Sequence, residues 1–298
     1  MRGGRTNIRT AVALGSRLEK NRDRPLRSFR LALSGSQRRS GQQNGVLATE
    51  SMGEITGQSP ESAVSRAFSV LELLAREAEP VRLTTIAAKL EMQKSTAHRI
   101  LATLMGLEYA KQDPNTGCYY ATLRLWELGA GLIAHHPLKR AAASYMQRLY
   151  ESTRETVSLV ILSGDDVLFL DKVAGPGSFG SRVGSRAPAL LAAGGKAILA
   201  FDPDARAIIR RTRERLKEAR SVPVEPLLKD LQEIRRCGYA VSSFPPGATT
   251  FAAPIMGRDG RVIAAMTVAV PERRLTKAGR ERTVDELLGT CAELTDQM

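Results

Sequence analysis

A chain of 298 residues, 43% of them apolar and 25% charged, is long enough for two domains with adequate cores. It has no run of ~18 consecutive apolar residues, which excludes a helical membrane span, and three scattered cysteines (Cys118, Cys237, Cys291) speak against a disulfide framework or zinc site and fit a reducing cytoplasm. The net charge of +13 invites a nucleic-acid partner, but eleven Lys/Arg against three Asp/Glu precede Met52, while residues 59–135 carry eight of each, so DNA binding must rest on where charges point.

Residues 1–58 show no sustained periodicity and are rich in Arg, Ser, Gly and Gln, the composition of a disordered basic tail. Such a tail could add phosphate contacts or act as a targeting peptide, or translation could start at Met52. Ala67, Val70, Leu71 and Leu74 then define a first helix. Leu83, Ile86, Ala87 and Leu90 repeat at the i, i+3, i+4, i+7 spacing of a second, and Ala97, Ile100, Leu101 and Leu104 do so for a third. Glu91-Met92-Gln93 between them is too short for anything but a turn, and Ser95 or Thr96 is the expected N-cap of the third helix. Opposite its apolar stripe that helix carries Lys94, Ser95, His98, Arg99 and Thr103, donors to phosphates and base edges without one carboxylate.

Two amphipathic helices around a tight turn are also common in all-helical proteins. The segment after the third helix separates the two readings. Residues 108–112 and 118–123 are strand candidates around Asp113-Pro114-Asn115-Thr116-Gly117, so a hairpin comes directly after that helix, as the wing of a winged helix does. Residues 123–136 form an apolar helix ending before Pro137, either a linker between domains or a core helix of one.

From Leu138 the pattern changes. Helices are expected at 138–152, 187–201, 206–220, 224–237 (stopped by Gly238) and 277–294, and strands at 157–162, 167–170, 239–243, 250–255 and 262–270. The 206–220 helix reads as a solvated Arg/Glu face, and Asp165-Asp166 as hairpin-turn chemistry. Hairpins with helices set apart from them indicate an α+β fold.

Motifs for catalysis are weak. Gly175-Pro176-Gly177-Ser178-Phe179-Gly180 matches GxGxxG but holds a proline and opens no amphipathic helix, so it reads as a loop. Gly195-Lys196-Ala197 lacks the rest of a P-loop. The three histidines, His98, His135 and His136, all precede Leu138, so the second domain can hold neither a histidine triad nor a histidine metal site. No catalytic residue, cofactor or metal is expected. A small-molecule-binding enzyme with an accessory winged helix is the alternative, and a nucleoid-type binder without sequence preference is a third reading.

The stretches SAVSRAFSVLELLA and QKSTAHRILATL, the wing, and the pattern onward from Leu138 resemble the IclR family of bacterial transcriptional regulators over roughly residue 59 to the end. The resemblance implies a winged helix-turn-helix at 59–122, a linker helix at 123–137 that helps dimerise the DNA-binding halves through residues such as Trp126, and a GAF/PAS-like antiparallel-sheet regulatory domain at 138–298. It favours Met52 as the start. It implies a homodimer or homotetramer on double-stranded operator DNA, contacted by Lys94, Ser95, Thr96, His98 and Arg99. It also implies an effector site at Ala193, Gly194, Ser242, Thr250, Thr267 and Ala269. Where the family often has an acid, this chain has Ser242. It has Thr250 for Cys, Thr267 and Ala269 for Ser, and Leu190 for His. Those exchanges imply an aromatic or otherwise apolar acid as effector.

Overall fold

The computed structural model describes residues 62–176, 182–216, 224–244 and 247–298. The expected 1–58 tail, residues 177–180 of the glycine-rich motif and the 217–220 end of the Arg-rich helix lie outside them. The described residues divide between two units, with the boundary at His136 and Pro137.

The first unit contains α1 (Ala63–Arg76), α2 (Leu83–Lys89), α3 (Lys94–Gly106), β1 (Ala110–Gln112), β2 (Tyr119–Ala121) and α4 (Arg124–Ala134). Ser62 caps α1 by accepting the Ser65 N–H at 3.1 Å. Val70, Leu71 and Leu74 of α1 meet Ile86 of α2 and Leu101 and Leu104 of α3 in one core, the set that the helical spacing selects. β1 and β2 pair antiparallel from Ala110↔Ala121 to Gln112↔Tyr119, and Val81 adds a bridge to Tyr119. In the wing turn Asp113 Oδ1 accepts the N–H groups of Asn115 (2.7 Å) and Thr116 (3.0 Å), which holds its carboxyl below the usual carboxylate range.

One local expectation is overturned. The N-cap of α3 is Gln93, with no side-chain cap, and Ser95 and Thr96 lie inside the first turn. The chain enters α3 this early because α2 ends in a tight Schellman turn. There the Met92 N–H donates to Ala87 O (2.9 Å) and the Glu91 N–H to Ala88 O (3.3 Å). The turn requires left-handed backbone at Glu91 (φ 50°), and the end of α3 repeats it at Glu108 (φ 63°). Glycine is the usual residue there, so both glutamates carry local strain.

The second unit contains α5 (Pro137–Thr153), β3 (Thr156–Ser163), β4 (Asp166–Val173), β5 (Arg186–Pro188), α6 (Ala193–Leu199), α7 (Ala205–Arg215), α8 (Val224–Cys237), β6 (Ala240–Ser242), β7 (Ala248–Met256), β8 (Val262–Pro271), a 3-10 turn (Glu272–Arg274) and α9 (Lys277–Gln297). Its strands form one antiparallel sheet in the order β5-β4-β3-β8-β7-β6. One face, with Val157, Leu159, Phe251, Ala253, Met266 and Val268 in register, lies under α5 and α9. The other face, with Val160, Val167, Ala252 and Ala265, lies under α6, α7 and α8. The helix expected from Ala187 starts only at Ala193, because Ala187 and Pro188 complete the edge strand β5 against Val167 and Asp166. An edge strand tolerates the missing N–H of Pro188.

The Arg-rich helix is not merely a solvated face, nor are the turn aspartates only turn formers. Arg211 Nε donates to Asp165 at 2.9 Å, while Arg215 donates through both η nitrogens to Asp166, whose side chain is 2% exposed. These pairs tie α7 to the β3–β4 hairpin, and their hydrogen bonds raise the pKa of both guanidinium groups.

Glu91→Gly should stabilise the first unit by ~0.5–1 kcal/mol, read as a higher urea midpoint, because glycine relieves the left-handed strain. Asp166→Ala should destabilise the second unit by about 2 kcal/mol by leaving Arg215 without its buried partner, whereas Asp165→Ala should change stability by less than about 1 kcal/mol. Equal losses would show that the burial of Asp166 contributes nothing.

Candidate DNA interface and effector site

Helix α3 packs Ala97, Leu101 and Leu104 into the core, which turns Lys94, Ser95, His98, Arg99 and Thr103 to the exposed side. Thr96 is half-buried at the margin of that face. Lys94, Ser95 and Thr96 form the first turn, and His98 and Arg99 stand one turn further on. Among the described residues neither Lys94 nor Arg99 pairs with a carboxylate, so both cations are available to an outside anion. Neither Ser95 nor Thr96 caps the helix, so among the described residues their hydroxyl groups stand at its start beside backbone N–H groups that no side chain caps. On the wing, Lys111 stands directly across from Tyr120, and both are exposed. These two donors carry no sequence signal beyond the hairpin itself.

All six residues expected to line the effector site come together in the second unit. Ala193 and Gly194 open α6, and both are buried. Ser242, Thr250 and Ala269 are cross-strand neighbours in β6, β7 and β8, and Thr267 lies one pleat away on the same sheet face. Gly194 rests on that face so closely that a Cβ there would stand 2.5 Å from Val160 Cγ2 and 3.1 Å from Thr267 Cγ2. Ser242 is already committed to the fold: its hydroxyl donates to Leu191 O (2.7 Å) and accepts the Phe244 N–H (3.1 Å). It ties the loop before α6 to the end of β6, so it is spent as a ligand donor.

Comparison with known proteins finds a match for each of the two domains. Residues 63–114 match the model of the IclR helix-turn-helix domain, and residues 130–296 match that of the bacterial transcriptional regulator IclR C-terminal domain. The chain belongs to the IclR family. It is a DNA-binding transcriptional regulator, with a helix-turn-helix followed by an α+β C-terminal domain. It is 32% identical over 259 residues to the HTH-type transcriptional regulator BhcR of Paracoccus denitrificans, covering 84% of this chain and 90% of that protein. An IclR transcriptional regulator structure from Alicyclobacillus acidocaldarius matches at 28% identity with a TM-score of 0.67, covering 80% of this chain and 99% of that one. An IclR homolog from Microbacterium hydrocarbonoxydans, crystallised with 4-hydroxybenzoate, shares the fold at 22% identity and a TM-score of 0.63, covering 80% of this chain and 100% of that one.

Within this IclR regulatory domain, the register also places residues that sequence reading leaves out. Thr156 lies across from Ala269, and Ser158 is flanked by Thr267 on β8 and Lys172 on β4. Strand pairing alone reveals this row, because its members lie on β3, β4 and β8. The cysteines take no part in it. Cys291 is buried and its thiol is pushed up to about 12, which keeps it protonated and inert. Among the described residues no helix is long and apolar enough to cross a membrane, and no His/Cys/Asp/Glu group could hold a metal ion.

Proposed function

We propose that this regulator reads a pseudo-palindromic operator in double-stranded DNA as a homodimer or homotetramer and responds to an organic acid, aromatic or aliphatic. It acts in the cytoplasm by binding and not by catalysis. The domain limits that fit this reading are 59–122 for the winged helix, 123–137 for the linker and 138–298 for the regulatory part, with residues 1–58 a tail ahead of them. The observation that carries the DNA half is the exposed, carboxylate-free face of α3 with its unpaired Lys94 and Arg99. Lys94, Ser95 and Thr96 then take phosphates, while His98 and Arg99 reach base edges in the major groove. Arg99 is the base reader, since a guanidinium can bridge O6 and N7 of guanine. Lys111 on the wing adds a phosphate contact. In the regulatory half, Ala193, Gly194, Thr250, Thr267 and Ala269 face the effector, and Ser242 holds the loop that frames it.

Self-association is supported by the apolar surface of the first unit. Helix α4 buries none of its residues, and Leu123, Trp126 and Leu132 are 77%, 69% and 74% exposed. Val64 and Phe68 of α1 are exposed as well. An apolar surface of this kind marks an interface, and a second copy of the chain is the partner that a two-fold operator requires.

Binding to the chain's own upstream DNA should exceed binding to a scrambled duplex by ~10³ or more at physiological salt. Arg99→Ala should weaken operator binding by roughly 1–3 kcal/mol and leave the scrambled duplex almost unaffected. Equal loss on both would make Arg99 a phosphate clamp. Trp126→Glu together with Leu132→Glu should shift the protein toward monomer in sedimentation and weaken operator binding at least ~10-fold, since a lone half-site forfeits the linked second contact. An unchanged mass would place the contact between copies elsewhere.

A further inference from the structure

Helix α7 carries five arginines, and the β3–β4 hairpin accounts for only two of them. Arg211 and Arg215 stand one turn apart and are neutralised by Asp165 and Asp166. Arg206, Arg210 and Arg213 follow the i, i+4, i+7 spacing of a second stripe, on another face of the helix. Arg206 and Arg210 are exposed, and among the described residues neither pairs with a carboxylate. Arg213 is half-buried and already engaged, so the unmet charge belongs to the other two. The helix itself gains nothing from this arrangement. Like charges one turn apart repel. Arg206 also lies in the first turn, where the helix dipole is positive and an acid would be the stabilising choice.

The stripe borders a cleft of about 460 Å³ between α7 and the start of α8, lined by Arg206, Ile209, Arg210, Arg213, Glu214 and Val224. Its floor is apolar: Ile209 is buried and Val224 half-buried. Glu214, the acid in this lining, is already engaged. The volume falls in the range of roughly 300–1,000 Å³ typical of small-ligand sites, and an apolar floor with a few convergent polar groups is their usual make-up. None of the six residues belongs to the effector site. Ile209 does share a core with Ala193 and Val160, so the cleft is a separate surface on the same core.

We infer that this cleft is a second ligand site, and that its ligand is an organic phosphate with adjacent phosphoryl groups, such as a nucleoside diphosphate. Side chains four residues apart on a helix stand about 5–6 Å apart at Cβ, so Arg206 and Arg210 can grip neighbouring phosphoryl groups together. A planar guanidinium donates two parallel N–H groups to phosphate oxygens, and two such forks match a multiply charged anion. A single carboxylate would neutralise one arginine and leave the other. The organic part of the ligand lies on Ile209 and Val224, which an inorganic anion would leave uncovered.

The test is calorimetric titration of the full chain with ADP, with inorganic phosphate, and with adenosine as the uncharged control. Wild type is compared with Arg206→Gln/Arg210→Gln and with Arg258→Gln/Arg261→Gln, which removes the same charge from the exposed turn between β7 and β8. ADP should bind wild type more tightly than either control compound. Its affinity should fall at least ~10-fold in Arg206→Gln/Arg210→Gln and stay within about twofold in the other double variant. Relief of repulsion should leave the melting temperature of Arg206→Gln/Arg210→Gln unchanged or raised. A lowered melting temperature would show that these arginines already have partners and would overturn the premise. Equal losses in the two double variants would reduce the effect to net charge and overturn the site. Inorganic phosphate binding as tightly as ADP would overturn the organic ligand. A polyglutamate peptide that binds more tightly than ADP, and is lost in Arg206→Gln/Arg210→Gln, would make the cleft a docking surface for an acidic peptide instead. Absence of ADP binding at millimolar concentration would overturn the inference outright.

Discussion

The regulatory domain depends on how closely one short helix approaches the sheet. All seven residues of α6 are buried, and its opening turn can lie so low only because two glycines stand there. A side chain at Gly194 would collide with Val160, and one at Gly195 would come within 2.1 Å of Ala189 O. Close-packed interiors do not absorb such overlaps without moving backbone. With α6 in place, the remaining contacts fall into line: Lys196 reaches Asp230 of α8 at 3.0 Å, and Ser242 holds Leu191 just upstream. The sheet face beneath carries small residues, Ala252 and Ala265, beside Val160 and Thr267, which meet the helix at its glycine.

The DNA-binding unit solves a different problem. Its charges balance, so it gains no attraction to DNA from net charge; what it has is a local separation of sign. The exposed face of α3 is basic and hydroxylic, while Glu91 and Glu108 sit at the turns before and after it. Those two acids occupy left-handed positions where glycine would be less strained, so they do not serve local stability. A neutral module binds phosphates weakly wherever it lands, which lowers competition from the many non-specific sites of a genome. Sequence-dependent contacts then contribute a larger share of the whole.

Most of the architecture is legible in the chain because hydrophobic periodicity is set by burial on one face. Positions such as Val70, Leu71, Leu74, Ile86, Leu101 and Leu104 are spaced for it, and they form the core. The features that escape such a reading depend on partners distant in sequence or on backbone geometry. A capping role for Ser95 or Thr96 fails because a Schellman turn two residues earlier sets where α3 begins. Ala187 and Pro188 of β5 read as the start of a helix because the small apolar run from Ala187 shows no alternation, and only pairing with β4 makes them strand. Asp165 and Asp166 look like turn formers since their arginine partners lie some 46 to 49 residues away. Lys172 is invisible for the same reason: a lysine in a strand reads as surface until the register sets it beside Ser158 and Thr267.

The same closeness that defines α6 also constrains how a bound ligand could be felt. No ligand atom fits between Gly194 and the Thr267 methyl while the helix stays down. A ligand engaging the Thr267 hydroxyl therefore enters from the Ser158 side, or it lifts α6. In the first case it adds contacts to the closed arrangement, and in the second it stabilises an open one. A ligand indifferent to the two would shift nothing, however tightly it bound. Moving such an equilibrium from 1:99 to 99:1 requires about 10⁴-fold preference for one arrangement. One charge-assisted hydrogen bond contributes about 1.5–3 kcal/mol of the ~5.5 kcal/mol that this demands. A single such bond is thus insufficient for a complete switch, and a ligand must differ in its other contacts between the two arrangements as well.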